Sequence, residues 1–270
     1  MKVDSYLRRI AYDGPLEPTL ETLRRLHYAH LLAVPFENLD VNLGVRIVLQ
    51  EEWLFDKIVA RHRGGLCYEL NGLFAALLRE LGFQVSLLSA RVPIEENRAG
   101  PEFDHLALRV DLDVSWLADV GFGESFIEPL PLLESAEQIQ RDVFFCLDRY
   151  QNRWRVLRYA PPSQTRPIPE LTEIEWEWRM LYDFTTTPRQ LPEFNDMCHH
   201  HQTSLESNFT RRRIISRLTP TGRVTLTNVR LIISEGQHRR EALLETTEEY
   251  ERALEEYFGI RLEKADAAAG

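Results

Sequence analysis

A cysteine, a histidine and an aspartate of this chain stand where thiol chemistry would need them. Cys67 follows Arg63-Gly64-Gly65-Leu66, and Leu70, Leu73, Phe74, Leu77, Leu78 and Leu81 then recur at helical spacing up to Gly82, a residue suited to a C-terminal cap. Cys67 therefore falls in a first helical turn, where unpaired backbone N–H groups and the helix dipole favour a thiolate, the nucleophilic form of sulfur. The two glycines predict that a group of another molecule can approach that sulfur closely. His105 opens the run His105-Leu106-Ala107-Leu108-Arg109-Val110, which alternates as a strand with one buried face and sets His105 on the opposite one. Asp119 lies in a second strand, Trp116 to Val120, closed by Gly121 and Gly123, and the polar segment Asp111 to Ser115 is short enough for a hairpin turn. Adjacent antiparallel strands set a histidine beside an aspartate, and a helix-start thiol facing them completes nucleophile, base and orienting carboxylate. Taken singly, each of the three reads as an ordinary structural residue; the joint arrangement is what carries weight.

The elements that position them change period near Phe83. Leu20, Leu23, Leu26, His27, His30 and Leu31 recur at helical spacing between Pro18-Thr19 and Pro35, and Glu51 to Arg61 repeats the pattern through Leu54, Phe55, Ile58 and Val59. Beyond Phe83 the period is two. Val85 to Val92, His105 to Val110, Trp116 to Val120, Val143 to Leu147 and Arg153 to Tyr159 predict strands, with a turn at Gln151-Asn152. Trp176, Trp178, Met180 and Tyr182 form an alternating stripe that reads as sheet core. Tyr159 to Pro169 carries four prolines and reads as a loop. After Pro188 and Pro192 a further section opens, with strand-like Arg223 to Ser234 and a C-terminal helix. In that helix Thr246 and Glu249 form a capping box, and Tyr250, Leu254 and Phe258 make an apolar face before Gly259. Lys264 to Gly270 reads as a frayed tail.

Composition excludes several classes of function. The 270 residues suffice for a sizeable core and two or three domains. A formal charge of −10 and a pI of about 5.4 give no general affinity for nucleic acid. The densest basic cluster, Arg211-Arg212-Arg213, reads either as a solvated strand or loop face or as a contact for an anionic cofactor. Three widely spaced cysteines, Cys67, Cys146 and Cys198, predict reduced thiols and a cytoplasmic protein. No apolar leader or membrane span is predicted. His199-His200-His201 does not read as a metal site, since consecutive side chains diverge and no Cys-x-x-Cys or His-x-x-x-His pattern joins them. Gly121-Phe122-Gly123 lacks the rest of a dinucleotide fingerprint, and its glycines predict close passage of a substrate.

At these motifs the sequence resembles the arylamine N-acetyltransferases. Arg63, Gly64, Gly65, Cys67, Glu69 and Asn71 match that family's R-G-G-x-C segment and the E/Q-x-N that follows it; Val34 to Asn38 match V-P-F-E-N, and Asp119 to Gly123 match D-V-G-F-G. Gln202-Thr203-Ser204, Ser207 and Phe209 are similar to Q-T-S-P-x-S-x-F, with Leu205 in place of the proline and His200 where an aromatic residue is usual. Glu102 and Asp104 also depart from the pattern. They set two acids before His105, where negative charge favours imidazolium.

The resemblance implies an α+β multidomain fold around a cysteine-protease-like Cys-His-Asp core. Its parts are an N-terminal helical bundle over 1–82 carrying Cys67, a central β-barrel over 83–190 carrying His105 and Asp119, and a C-terminal α/β lid over 191–270. The periodicities give the same order of parts. The resemblance also implies acetyl-CoA as acyl donor, a small aromatic amine or hydrazine as acceptor, an acetyl-cysteine intermediate on Cys67, no metal, and a part in xenobiotic metabolism. It puts Phe36, Phe122 and Phe126 in the acceptor slot and Gly121, Gly123, Thr203, Ser204 and Ser207 against coenzyme A. It joins Arg9, Glu37 and Arg63 in a buried charge network that holds the Cys67 loop. Competing readings are an amide synthase of the same family, a papain-like or transglutaminase-like thiol acyl hydrolase, and a non-enzymatic binding module with Cys67 in its core. The physiological acceptor, the preferred acyl chain and the oligomeric state stay open.

Overall fold

The change of period near Phe83 separates a helical layer from a sheet. The computed structural model describes residues 1–95, 98–141, 143–160, 177–236 and 238–262; Trp176, the proline-rich stretch from 161 to 169 and the tail Lys264–Gly270 lie outside them. The helical layer holds Val3–Arg9, Leu20–Ala33 and Cys67–Glu80, with Thr19 capping the second by accepting from the Thr22 amide at 3.2 Å. The predicted helix over Glu51 to Arg61 divides into an α-helical Glu51–Phe55 and a wider π turn, Asp56–Ala60. That turn carries Lys57 inward to carboxylates and leaves the Ile58 carbonyl to accept from Arg9 Nε at 2.9 Å.

Eight antiparallel strands form the barrel. Their spatial order is Leu130–Pro131, Ser115–Ala118, His105–Asp111, Gln84–Arg91, Glu177–Phe184, Arg153–Ala160, Val143–Tyr150 and Glu137–Gln140. The Ser135 amide donates to the Leu147 carbonyl at 2.8 Å and draws the two ends of that order together into a nearly closed barrel. Leu106, Leu108, Val110, Trp116 and Ala118 pack against Leu70, Leu73 and Phe74 of the Cys67 helix, whereas Ala107, Leu117, Leu147 and Val156 fill the interior. The His105 strand is thus buried on both faces, not one, because helices cover the side that alternation alone would leave to solvent.

Two local departures matter for function. Asp119 lies just past the strand Ser115–Ala118 rather than inside it, since its amide points to the His27 ring at 3.1 Å instead of to a neighbouring strand. The stripe of Trp178, Met180 and Tyr182 does not share one face. Leu157 pairs with Met180 but Val156 pairs with Tyr182, so Leu181 is an extra residue that reverses the pleat. Trp178 stays 47% exposed, while Tyr182 turns fully into the barrel.

The C-terminal section is a five-stranded sheet packed on the helix Thr247–Phe258 through Ile215, Val224, Leu226, Tyr250, Leu254 and Phe258. Thr246 caps that helix as predicted, and Gly259 ends it at φ +69°. The predicted run Arg223 to Ser234 is two strands, Gly222–Thr227 and Arg230–Glu235, flanked by Ile214–Thr219 and His238–Leu243. The fifth strand is Phe36–Glu37, from the V-P-F-E-N motif. Phe36 pairs with Ser216 on one side and bridges Gly65 on the other, which fastens this sheet to the Cys67 loop.

Candidate active site

Cys67 heads the helix Cys67–Glu80, and the loop before it is fixed by buried charge. Glu69, in the first turn, accepts the Leu66 amide through Oε2 at 2.8 Å and binds Lys57 Nζ through Oε1 at 2.8 Å. Lys57 also meets Asp40 at 2.8 Å, Asp40 meets Arg63 at 2.8 Å, and Arg63 meets Glu37 at 2.9 Å. Burial pushes the Lys57 ammonium down, yet Glu69, Glu37 and Asp40 together lift it above the ordinary lysine range. Arg9 reaches the same loop differently, through the carbonyls of Ile58, Ala33, His62 and Arg63. The glycines serve this packing rather than a visiting molecule. A Cβ on Gly64 would stand 1.9 Å from the Pro35 carbonyl oxygen, and one on Gly65 would stand 2.6 Å from the Glu69 carboxylate.

The three residues singled out at the start come together in the interior. His105 Nε2 lies 2.7 Å from Asp119 Oδ2, and the Cys67 sulfur lies near enough to the same ring to favour its charged form. All three are buried. Burial by itself would lower the imidazole, but the Asp119 carboxylate and the Cys67 sulfur outweigh it and raise His105 to about 10. Burial likewise opposes ionisation of Asp119, and His105 with the hydrogen bonds around it holds that carboxyl below its usual range. Glu102 and Asp104 do not supply the shift. Glu102 is held by Arg153 at 2.7 Å and by the Ser89 hydroxyl at 2.9 Å, and Asp104 lies 3.1 Å from His201 Nε2.

Asp119 accepts four hydrogen bonds, two on each oxygen. Oδ2 takes His105 and the Tyr182 hydroxyl at 2.9 Å; Oδ1 takes Asn71 Nδ2 at 2.8 Å and the Gly121 amide at 2.9 Å. Asn71 lies one helical turn after Cys67 and so shares its face. Sequence reading had placed Asn71 in a motif without a role and Tyr182 in the core. Only the bulge at Leu181 brings that hydroxyl to Asp119, and no periodicity records a bulge. Gly121 is fixed sterically, because a Cβ there would meet the Cys67 Cα at 2.7 Å and Asn71 Nδ2 at 2.7 Å.

The remaining predicted site residues fall in three settings. Phe122 sits edge-on to His105, ring centroids 5.2 Å apart, and Phe36 lies against Gly123 and Phe209. Phe126 is in the barrel interior, stacked on His27 and edge-on to Phe145, so it supports the loop from beneath. Thr203, Ser204 and Ser207 border the helices Asn195–Thr203 and Asn208–Arg211, where their hydroxyls make local bonds. Thr203 donates to the His199 carbonyl, Ser204 accepts the Glu206 amide, and Ser207 accepts the Phe209 amide and meets His201 Nδ1 at 3.1 Å. This segment packs on the Cys67 helix through Phe194 and His201 against Tyr68. Among the described residues no cluster of three or more His, Cys, Asp or Glu could hold a metal ion, and no helix is long and apolar enough to cross a membrane.

A buried thiol, imidazole and carboxylate meet at the junction of a helical layer and a nearly closed barrel, an arrangement suited to thiol acyl chemistry. Comparison with known proteins gives the family. Residues 19–267 match the family model described as N-acetyltransferase. The chain is 34% identical over 278 residues to the pineal gland arylamine N-acetyltransferase isozyme NAT-3 of Gallus gallus, covering 98% of this chain and 96% of that protein. Among solved structures it is similar to the arylamine N-acetyltransferase from Mycobacterium abscessus (TM-score 0.87, 30% identity, 100% of this chain and 93% of that one). It is also similar to the Mycobacterium marinum enzyme in complex with CoA (TM-score 0.84, 30% identity, 100% and 95%). This chain belongs to the arylamine N-acetyltransferase family.

Proposed function

We propose that the protein transfers an acetyl group from acetyl-CoA to an arylamine or arylhydrazine by a two-step exchange through Cys67. The observation that carries this reading is the Cys67–His105–Asp119 array, with Asp119 accepting four donors and His105 raised to about 10. The reactive form in this mechanism is a Cys67 thiolate paired with a His105 imidazolium. The thiolate adds to the thioester carbonyl, and the oxyanion is met by backbone N–H groups of the first helical turn, each worth about 3 kcal/mol. Collapse breaks the bond to coenzyme A, whose departing thiolate takes the proton from His105. An arylamine nitrogen then adds to the acetyl-cysteine. His105, now neutral, accepts its proton, and the Cys67 thiolate leaves to restore the ion pair. Asp119 keeps the ring oriented and its charge balanced through both steps.

Anilines are weakly basic and approach uncharged, which suits a slot walled by Phe122 and Phe36, with Phe126 behind it. Gly121 and Gly123 would flank the pantetheine end of the coenzyme and the Thr203–Ser207 segment its far end. Arg63 and Glu37, with Arg9 acting through carbonyls, would hold the Cys67 loop in register. We assign the helical bundle to 1–82, the barrel to 83–190 and the α/β lid to 191–270, and the site of action to the cytoplasm, in keeping with three free thiols. Double-reciprocal plots at several fixed acceptor concentrations test the reading. Parallel lines are expected; intersecting lines, with no coenzyme A released before acceptor is added, would indicate direct transfer in a ternary complex.

A further inference from the structure

The loop that carries Gly121, Phe122 and Gly123 is closed at its base by a histidine the mechanism above does not use. His27, on the helix Leu20–Ala33, is fully buried. Its Nδ1 lies 3.0 Å from the Ile127 carbonyl oxygen, and its Nε2 lies 3.1 Å from the Asp119 amide nitrogen and 3.0 Å from the Asp119 carbonyl oxygen. The ring is stacked on Phe126 with centroids 5.9 Å apart and sits edge-on to Phe74 of the Cys67 helix at 6.2 Å. Burial lowers His27 to about 4, against the opposing pull of Ile127 and Asp119, so near neutral pH the ring is uncharged and carries one proton.

One proton and these partners select a tautomer. With Nδ1–H donating to Ile127, the Nε2 lone pair accepts the Asp119 amide, and two of the three backbone groups at the ring are satisfied, the Asp119 carbonyl being left. The opposite tautomer serves only that carbonyl and sets a lone pair against the Ile127 carbonyl and an N–H against the Asp119 amide. We propose that His27 is a positioning residue for acyl transfer: its neutral Nδ1–H imidazole pins both ends of the 119–127 loop and so fixes Asp119 beside His105. Three consequences follow from the geometry. The Asp119 backbone cannot shift and carry its carboxylate away from Nε2 of His105 without pulling its amide off His27. Gly121 stays against Cys67. Phe122 stays edge-on to His105. The inference rests on the roles assigned above to Cys67, His105 and Asp119.

The test compares His27→Leu, which keeps apolar volume, with His27→Gln, whose amide can both donate to Ile127 and accept from Asp119. The readout is the rate at which acetyl-CoA alone adds one acetyl group to the full-length protein, followed by quenched intact-mass measurement, with melting temperature as a control. The Leu variant is expected to acetylate roughly ten- to a hundredfold more slowly than wild type, while the Gln variant stays within a few-fold. Equal rates for Leu and wild type, or equal impairment of Leu and Gln, would overturn the positioning role. Should the Leu variant fail to fold, the ¹⁵N shifts of His27 in the wild-type protein decide the matter: an Nδ1–H ring supports the inference and an Nε2–H ring refutes it. A wild-type protein that gains no acetyl group would remove the underlying reading of Cys67, whatever the His27 variants do.

Discussion

Asp119→Asn separates an orienting carboxylate from a merely structural one. In the native site each carboxylate oxygen accepts two donors, His105 and Tyr182 on one side, Asn71 and the Gly121 amide on the other. An asparagine offers one oxygen and one NH2: turned to Asn71 and Gly121, the NH2 faces two fixed donors, whereas turned to His105 and Tyr182 it meets a ring that can change tautomer and a hydroxyl that can rotate to accept. Each unpaired donor costs about 1–3 kcal/mol, so the stability loss is at most roughly 2–6 kcal/mol. The catalytic loss has a separate origin. Without the carboxylate His105 falls from about 10 toward its ordinary value or below. At an ordinary value of about 6.5 only about one ring in ten is imidazolium near pH 7.5, so the thiolate–imidazolium pair becomes a minor state. An asparagine NH2 turned to the ring also selects the wrong tautomer, a change that costs ~10⁴-fold in a serine triad. A thiol needs less help than a hydroxyl, and we expect a loss in kcat/KM on the order of 10²–10³-fold. The assay is alkylation of Cys67 by iodoacetamide from about pH 6 to 9, with melting temperature measured in parallel. Asp119→Asn should react more slowly than wild type at neutral pH and approach the wild-type rate as pH rises. Equal rates for the folded variant and wild type throughout would refute the role given to Asp119.

Other expectations follow from the same coordinates. Cys67→Ser should abolish turnover with the fold intact, whereas Cys146→Ala and Cys198→Ala should retain activity, as steady-state rates and circular dichroism will show. Lys57→Met leaves the Asp40 and Glu69 carboxylates buried without their shared cation, and urea unfolding should register a loss of about 3–5 kcal/mol. Stability should also fall as pH drops from about 6.5 to about 4. Burial holds His27 at about 4 and His30 well below the ordinary histidine range, so the unfolded chain binds the extra protons in that window. Each buried histidine contributes a slope of up to about 1.4 kcal/mol per pH unit, and His27→Gln should flatten the curve.

The elements with strong periodicity were legible in the sequence, and the polar joints between them were not. The apolar spacing from Leu70 to Leu81 with Gly82 beyond it predicted the Cys67 helix to within a residue, and alternation located both strands that lead to His105 and Asp119. Lys57 was hidden because Glu51 to Arg61 scans as a plain amphipathic helix, and nothing in that spacing records a π turn or a partner twelve residues on. Tyr182 was hidden by the bulge, which moves it from the face of Trp178 to that of Val156. His27 read as one more residue on a helix face, since its partners lie about a hundred residues away in sequence. The edge strands of the C-terminal sheet were missed for a different reason. His238–Leu243 is largely exposed and polar, and Phe36–Glu37 is only two residues long, so neither carries an alternation that a sequence can display.

The central claim is that one sulfur carries the acetyl group between coenzyme A and the amine. Peptide mapping by mass spectrometry after incubation with acetyl-CoA alone tests it most directly. A single acetyl group on the peptide containing Cys67, absent in Cys67→Ser and lost with formation of an N-acetyl product when an aniline is added, is the predicted result. Acetyl-aniline formation with no acetylated Cys67 peptide at any time, or an adduct that survives the acceptor, would contradict it.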